Sequence, residues 1–446
     1  MIGLKMRKAL EDFLADERPR LQKLEDYYTG KHAILKKKDR LEDKKDTKIV
    51  HSYPEYISTI ATAYFVGKPI SYIFEDGASD KTTSDFEALS KYLSTEEEQE
   101  MNYQHAENCS VFGKSYEILY KELDGSVGMA VLDPRDVVVL YDNSVKKRPI
   151  AAARWDSHSD EQGAAIYTLE VYDDRCVTVY QYRGDKEDLP TQIGEKRLHG
   201  FGGVPVIEYV NNIRKRSDFE SVISLVDAYN EAESTSLDDL KDFTDAYLAL
   251  TGMGGTEPED IMKMKKEKVL LLPEESKAEW ITKHVNDTYT ENIKNRLNDD
   301  IHKFSMVPNL QDKEFAGNSS GVALAYKLLA LEQLTAKKEM SFKKALNKRL
   351  ALMIGFMNLS ISAQQIQKVF TRNTPKNLVE IADTITKLAG IVSNETLLST
   401  IPFVENAQTE MAKKQEEDRE SLGEYDDMNT PLPASKAGDV DGKETE

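Results

Sequence analysis

The stretch NSSGVALAYKLLALEQLTAKKE, residues 318–339, has the apolar spacing of a helix, and the same spacing continues beyond it. No proline interrupts the chain from Asn309 to Thr374. We predict one helix over about 320–359, which at 1.5 Å per residue would be about 60 Å long. Gly355 is its weak point, because glycine in a helix interior costs about 1 kcal/mol relative to alanine. The function of so long a helix has to be inferred from the rest of the sequence.

Length and charge limit the possible functions. The chain has 446 residues, of which 40% are hydrophobic, and this is enough for two or three domains with buried cores. It carries 78 acidic and 59 basic residues, a net charge of −19. A protein that holds nucleic acid by its phosphates needs a basic footprint. Any nucleic acid is therefore expected to be handled without tight binding.

The chain shows no export or membrane signal. Residues 1–20 lack the apolar core of a signal peptide, and no run of 18 apolar residues occurs. Cys109 and Cys176 lie far apart without a CxxC motif, which is typical of thiols that serve as small core residues in a reducing compartment. We expect an intracellular protein without membrane contact.

In the first half of the chain, the residue pattern changes from one that predicts helices to one that predicts strands. The first hundred residues predict charged helices, with apolar periodicity in residues 18–35 and 53–69. Over about 115–210, short runs of β-branched and aromatic residues alternate with turn residues. This pattern predicts an antiparallel sheet module.

Helical spacing returns at Ser217, where Ser217 and Glu220 match a capping box. One helix is predicted from there to Thr251, before a glycine-rich stop. A compact insert with a short helix and two strands follows. The remaining predicted segments are a helix over about 286–306, a polar loop over 307–320, the long helix, shorter helices over 360–410, and a disordered acidic tail over 411–446.

No motif for catalysis or phosphate binding is complete. Residues 108–115, NCSVFGKS, end like a Walker A loop, but Asn108 stands where the first glycine should be and a strand follows. A turn into a strand is the better interpretation. The chain also lacks an HExxH motif, a GxSxG elbow and a close histidine pair. We therefore expect neither an enzyme activity nor a cofactor.

Six acids share one face of the predicted helix over 217–251. At 100° per residue they fall within about 20–40° of one line. They are Glu220, Asp227, Glu231, Asp238, Asp242 and Asp245. One interpretation is a solvated helix face. The other is a surface that faces DNA without holding it, because carboxylates within a Debye length of about 10 Å repel phosphates.

Four strings together resemble the SPP1-type family of bacteriophage portal proteins. They are DYYTGKHAIL (26–35), KIVHSYPEYISTIATAYFVGKPISY (48–72), SDFESVISLVDAYNEAESTSLDDLKDFTDAYLALTG (217–252) and SGVALAYKLLALEQLTAKKEMSFKKAL (320–346). The resemblance runs from about Leu24 to Phe356. Its most specific parts are Gly67-Lys68-Pro69, Asp227-Ala-Tyr-Asn230 and Ser320-Gly321.

The resemblance implies an α+β, mainly α fold that forms a ring, usually a dodecamer. Long helices would build stem, wing spine and crown, with an antiparallel β module in the wing and a small α/β clip. The segments would be the wing (1–216), a stem helix (217–251), the clip (252–285), a second stem helix (286–306), the tunnel loop (307–320), the long wing helix (321–359), the crown helices (360–410) and the acidic tail (411–446). The long rod would then span the body of the ring.

The resemblance also implies a function and a location. The ring would occupy the portal vertex of the capsid in the virion, after assembly in the cytoplasm of a bacterial host. Double-stranded DNA would pass through its channel, without sequence specificity, during packaging and ejection. Implied partners are further copies of the chain, the terminase large subunit, a head-completion or connector protein, and the major capsid and scaffolding proteins. The portal would be a passive head–tail connector, because the terminase supplies the energy.

Two further candidate sites follow from the resemblance. The tunnel loop would face DNA through Asn309, Gln311, Asp312, Lys313, Glu314 and Asn318. Lys313 would either touch phosphates or form a local salt bridge as an exposed loop lysine. The clip would dock the motor and the connector through Glu259, Lys263, Lys265, Glu274 and Trp280. The alternative for the clip is packing between subunits.

Two other classes of protein stay open at this point. A packaging nuclease or ATPase would need a metal-binding carboxylate cluster or a complete phosphate loop, and neither motif is present. A non-channel structural or scaffold protein would show sustained heptads, which the glycine and proline breaks and the sheet module disfavour.

Overall fold

The computed structural model describes residues 2–39, 45–74, 80–184, 189–244, 247–251, 257–267, 277–281, 287–311, 321–374, 378–401, 404 and 407–428. The chain divides into two compact units, Met1–Asn373 and Thr374–Glu446. The first unit combines helices with antiparallel sheets, so the α+β class is confirmed.

The helices of the first unit include both short and long elements. They are α1 (Ile2–Asp12), α2 (Arg18–Tyr28), α3 (Tyr53–Val66), α4 (Asp80–Ser90), α5 (Glu96–Phe112), α6 (Ile223–Thr244), α7 (Pro258–Glu267), α8 (Asp287–Ser305), α9 (Gly321–Lys327) and α10 (Leu329–Phe356). A π-helical turn, Phe13–Glu17, joins α1 to α2. Single 3-10 turns lie at Ala33–Lys36, Pro134–Asp136, Glu220–Val222 and Ala363–Gln365.

The strands pair only in antiparallel fashion within the described residues. They are β1 (Ser71–Phe74), β2 (Lys114–Lys121), β3 (Val127–Leu132), β4 (Val137–Tyr141), β5 (Pro149–Ser159), β6 (Ala165–Tyr172), β7 (Cys176–Arg183), β8 (Thr191–Leu198), β9 (Val206–Val210), β10 (Tyr247–Thr251), β11 (Lys277–Ile281) and β12 (Ile366–Val369). The sheets have the orders β3-β2-β9, β4-β5-β6-β7-β8, β1-β12 and β10-β11. The predicted sheet module over 115–210 is thus two sheets.

The long predicted rod is present with one interruption. The helices α9 and α10 together cover residues 321–356, and Leu328 separates them. Gly355 lies in the last turn, so its low helix propensity falls where the helix ends anyway. One side of α10 is buried, including Phe342, Leu346 and Met353. These residues pack in one hydrophobic cluster with α3 and with strands β2 and β9.

Arg349 of α10 is completely buried among acidic side chains. Its Nε donates a hydrogen bond to Glu117 Oε1 at 2.8 Å, and its Nη1 donates to Glu98 Oε1 at 2.8 Å. All three side chains are 0% exposed. Glu98 lies on α5 and Glu117 on β2, so this single cation connects α10 to both elements. A buried charge is tolerated only when it is paired in this way.

Both buried carboxylates have additional donors. Tyr72 donates to Glu98 and Tyr209 donates to Glu117, each at 2.6 Å. Burial raises the pKa of both tyrosines well above the usual value, so each hydroxyl keeps its proton. Burial, and then repulsion by Arg349, holds the pKa of His105 well below its usual range. The neutral His105 ring contacts Ser115 at 2.8 Å.

A second buried cation fixes α10 farther toward its N-terminus. Lys338 donates to Asp218, and Ser110 donates to the same carboxylate at 2.5 Å. The amide of Asn211 also donates to Asp218, at 2.8 Å. Lys338 and Arg349 are eleven positions apart, which is about three helical turns, so they lie on one face of α10. Ion pairs therefore hold α10 at two positions along its length, about three helical turns apart.

The predicted helix over 217–251 is wrong in its last part. The helix α6 ends at Thr244, and residues 247–251 form the strand β10, which pairs with β11 from Tyr247 opposite Ile281 to Thr251 opposite Lys277. No glycine or proline marks this change in the sequence. The strand forms because a partner about thirty residues away completes its hydrogen bonds, and tertiary pairing of this kind overrides local propensity.

The predicted helices over 360–410 and the predicted disorder after 411 also need correction. Residues 363–369 form a 3-10 turn and the strand β12, which pairs with β1 in the first unit. The second unit contains α11 (Leu378–Leu388), α12 (Asn394–Ser399) and α13 (Ala407–Met428). Residues 411–428 are therefore helical, and residues 429–446 lie outside the described part of the chain.

Replacing Arg349 by methionine tests the first buried network. The Arg349→Met variant keeps an apolar stem but leaves Glu98 and Glu117 buried without their cation. We expect the free energy of unfolding, measured by urea denaturation, to fall by about 3–5 kcal/mol. The exposed Gln333 on the same helix is the control, and Gln333→Met is expected to change it by less than about 0.5 kcal/mol. Equal, small effects would show that the network does not hold α10.

Candidate functional site

Hydrogen bonds from α3 and α8 hold the first residues of the predicted tunnel loop, 307–310. The hydroxyl of Tyr56 on α3 donates to the carbonyl oxygen of Pro308 at 3.1 Å and accepts from the amide of Leu310 at 2.9 Å. The Nδ1 atom of His302 on α8 lies 2.9 Å from the carbonyl oxygen of Val307, within hydrogen-bond distance. These contacts fix the first residues of the loop where they leave α8.

Only the start of that loop belongs to the described residues. Asn309 is partly buried and Gln311 is exposed. Both line an open cavity of about 320 Å³ together with Tyr53, Tyr56 and His302. The other predicted loop residues, Asp312, Lys313, Glu314 and Asn318, lie outside the described residues. Of the predicted loop residues, the structure therefore describes Asn309 and Gln311.

The acids predicted as a stripe meet partners from the N-terminal segment. Glu220 accepts two hydrogen bonds from Arg20, at 2.9 and 2.7 Å. Asp227 accepts from the hydroxyl of Tyr27 at 2.8 Å. Burial raises the pKa of Tyr27, and the hydrogen bond to Asp227 adds to this effect. Both carboxylates are thus used inside the protomer.

The next acids along α6 continue this arrangement. Glu231, about half exposed, pairs with Lys37 at 2.5 Å. Asp238 is only 3% exposed and accepts from the amide of Thr47. The expectation of a solvent-facing stripe is wrong for Asp238, because the chain before α3 covers it. The side chain of Asp242 and the whole of Asp245 lie outside the described residues.

A ladder of amides that the sequence did not reveal connects residues 45–51 to α6. Three alternate backbone amides each donate to one side chain: Thr47 to Asp238 at 3.1 Å, Ile49 to Ser234 at 2.9 Å and His51 to Asn230 at 2.9 Å. Two residues of extended chain advance about 6.6 Å and four residues of helix advance 6.0 Å. The two periods match, so each second amide meets the next helical turn. The available signal was the spacing of Asn230, Ser234 and Asp238 by four.

The predicted docking residues of the clip are only partly described. Glu259 and Lys263 are exposed on α7. Trp280 lies in β11 with its backbone opposite Leu248, but its side chain is outside the described residues, as is that of Lys265. Glu274 lies outside them entirely. The structure thus provides an exposed helix here, and the docking role stays a prediction.

The Walker-like residues form the predicted turn into a strand. Gly113 ends α5 with a φ of +83°, and Lys114 begins β2. A Cβ at Gly113 would lie 2.0 Å from the carbonyl oxygen of Lys215, so the close approach of two backbones requires glycine here. No helix follows whose N-terminus could hold a phosphate. The interpretation as a phosphate loop is therefore excluded.

Metal-binding clusters and helices that could cross a membrane are both absent from the described residues. No group of three or more His, Cys, Asp and Glu side chains is placed to bind a metal ion. No described helix combines the length and apolarity that crossing a bilayer requires. Cys109 is buried and Cys176 partly buried, and both are free thiols.

Removing the carboxylate of Asp238 tests the ladder. In Asp238→Ala the amide of Thr47 loses its acceptor, so we expect faster hydrogen exchange in residues 45–51 and a loss of about 1–3 kcal/mol in the free energy of unfolding. The exposed Ser224 on the same helix gives the matched variant Ser224→Ala, which should leave both unchanged. Unaltered exchange in the Asp238 variant would mean that the ladder does not order this segment.

Comparisons with known proteins give one consistent result. The sequence model described as "Phage portal protein, SPP1 Gp6-like" matches residues 8–424. A portal protein of Clostridium phage phiCD119 is 23% identical over 429 residues, which cover 88% of this chain and 91% of the relative. The portal protein of Bacillus phage SPP1 is 22% identical over 428 residues, with coverage of 90% and 81%.

Solved structures with a similar chain come from the neck of GTA particles. The neck of the native particle, computed with C12 symmetry, aligns at a TM-score of 0.45 and 14% identity over 78% of this chain and 90% of the other. The neck of the empty particle, computed with C6 symmetry, aligns at 0.49 and 13% identity over 79% and 90%. The family model, in contrast, spans nearly the whole sequence. The chain belongs to the SPP1 Gp6-like family of phage portal proteins.

Proposed function

We propose that copies of this chain close into a ring at one vertex of a phage capsid, and that double-stranded DNA passes through its central channel during packaging and ejection. The family match over residues 8–424 carries the proposal. A ring of identical chains needs head-to-tail contacts that close on themselves. We take the ring to be a dodecamer that assembles in the host cytoplasm and then becomes part of the virion.

The charge of the chain supports a conduit that does not hold its cargo. With a net charge of −19, the protein offers a sliding duplex mainly repulsion. Each lysine contact to phosphate would instead release counterions and raise the affinity for DNA at low salt. Because Asp238 is buried, the acids of the predicted stripe that stay candidates to face the channel are Glu231, Asp242 and Asp245.

The loop over 307–320 would be the part of each subunit that comes nearest to the DNA. Support for this comes from its base, where Tyr56 and His302 hold residues 307–310 against α3 and α8. A loop that starts from a fixed point can be placed in the same way in every subunit. Lys313, between Asp312 and Glu314, would either contact phosphates there, as an exception to this repulsion, or form a local salt bridge.

The clip, residues 252–285, would be the docking platform. It contains the exposed helix α7 and the strand β11, which pairs with β10 just before this segment. The proposed partners there are the terminase large subunit during packaging and a head-completion protein afterwards. The wing would contact the major capsid and scaffolding proteins. In this proposal the portal has no catalytic role of its own.

Imaging of the purified full-length chain tests the ring. Negative-stain micrographs are expected to contain top views with a central hole, because head-to-tail contacts between identical chains close around an axis. Native mass spectrometry of the same sample is expected to count twelve subunits. Particles with a solid centre, or monomers at every concentration, would contradict the proposed function and favour a non-channel structural protein.

Exchanging charges on α7 tests the clip. We expect the double variant Glu259→Lys, Lys263→Glu to weaken binding of the terminase large subunit at least tenfold, because complementary charges orient the two surfaces. Surface plasmon resonance on assembled rings gives the dissociation constant. The double variant Glu161→Lys, Lys146→Glu makes the same exchange on the exposed turns of the β module and should bind normally. Equal binding by both variants would remove the docking role from α7.

A further inference from the structure

An apolar groove with a basic rim lies between residues 212–221, which precede α6, the C-terminal end of α8 and α10. It encloses about 560 Å³. Ile213 is 98% exposed, Phe304 55% and Met340 62%, although all three line the same groove. Large apolar side chains that are exposed together mark a contact surface rather than a random feature.

The rim of this groove is positively charged in a strongly acidic chain. Arg214, Lys337 and Lys344 are exposed around it. Within the described residues, none of these three side chains forms an ion pair. The acid in the lining, Asp218, is already bound to Lys338. A partner that complements this groove would therefore carry apolar groups for its floor and acidic groups for its rim.

The same chain carries a surface of this kind at the start of α5. Glu96, Glu97 and Glu100 are exposed in its first turns, and in the described structure no lysine or arginine pairs with them. The half-exposed Ile73 lies on β1, whose Tyr72 donates to Glu98 in the same turn. This end of α5 is therefore an acidic surface without basic partners in the described residues, and the strand that contacts it exposes one apolar side chain.

The two surfaces cannot meet within one chain. The C-terminal end of α5 adjoins the groove, because the carbonyl oxygen of Ser110 accepts from the amide of Asp218 at 2.9 Å and from the hydroxyl of Ser217 at 2.8 Å. The acidic end is one helix length away, which for 17 residues is about 25 Å. A rigid helix therefore separates the basic groove from the acidic surface.

We propose that the groove of one copy receives the acidic start of α5 from the next copy in the ring. Two different surfaces of one chain then meet head to tail, which is the geometry that a closed ring requires. This inference rests on the proposed function, since it names the contact by which the ring closes. Desolvation of Ile213, Phe304 and Met340 would supply the apolar part of the binding energy, and the opposite charges would fix the register.

Charge reversal on the rim tests the groove. We expect the double variant Lys337→Glu, Lys344→Glu to lower the fraction of full-length protein in rings at least tenfold at physiological salt. Native mass spectrometry measures this fraction. Both positions are exposed, so the far-ultraviolet circular dichroism spectrum of the subunits should stay unchanged. The double variant Lys121→Glu, Lys196→Glu has the same net charge and exposed positions on the β strands, and it should form rings normally.

Reciprocal reversal tests the match with α5. The variant Glu97→Lys, Glu100→Lys is expected to impair rings by itself, and its combination with Lys337→Glu, Lys344→Glu in one chain to restore them. Rings that form normally with the reversed rim would overturn the groove as an interface. Loss of rings without restoration in the combined variant would overturn the pairing with α5. If the wild-type chain itself forms no ring, the proposed function fails, which is a separate outcome.

Discussion

The buried guanidinium of Arg349 is the contact on which the helical body depends. It joins the longest helix to α5 and to the central strand β2 through Glu98 and Glu117. These carboxylates have no access to water, so without the cation both would be unpaired charges in a medium of low dielectric constant. Hydrophobic packing along α10 would allow several rotations of the rod, whereas a guanidinium between two fixed carboxylates selects one of them.

The acids of α6 show how an apparent surface property becomes an internal one. Carboxylates that seem free to repel DNA are occupied by Arg20, Tyr27 and the backbone of residues 45–51. This arrangement attaches the N-terminal segment along the helix without a sheet, because helix and extended chain advance at nearly the same rate over four and two residues. Repulsion of a passing duplex would then depend on the net charge of the whole ring more than on one line of acids.

Membership of the portal family gives these features a common purpose. A subunit of a ring around moving DNA has to be stiff, and it needs two different surfaces for its two neighbours. Ion pairs at Lys338 and Arg349 provide stiffness along the rod. The basic groove beside Lys337 and the acidic start of α5 provide two unlike surfaces at opposite ends of one helix.

The sequence by itself determined the helical and β regions, the long rod, the turn at Gly113 and the acidic balance, because periodicity, glycine and charge act locally. The tertiary structure alone decided that 247–251 is a strand, since its partner 277–281 is distant in the chain. It also decided that β5, with its buried Ala151, Ala152 and Ala153, is a strand despite the low β propensity of alanine. The tertiary structure also decided the partners of the acids, because Asp227 accepts its hydrogen bond from Tyr27, 200 positions away in the chain. Local preferences set most of the elements, but only the folded chain assigns each buried charge and each open backbone edge its partner.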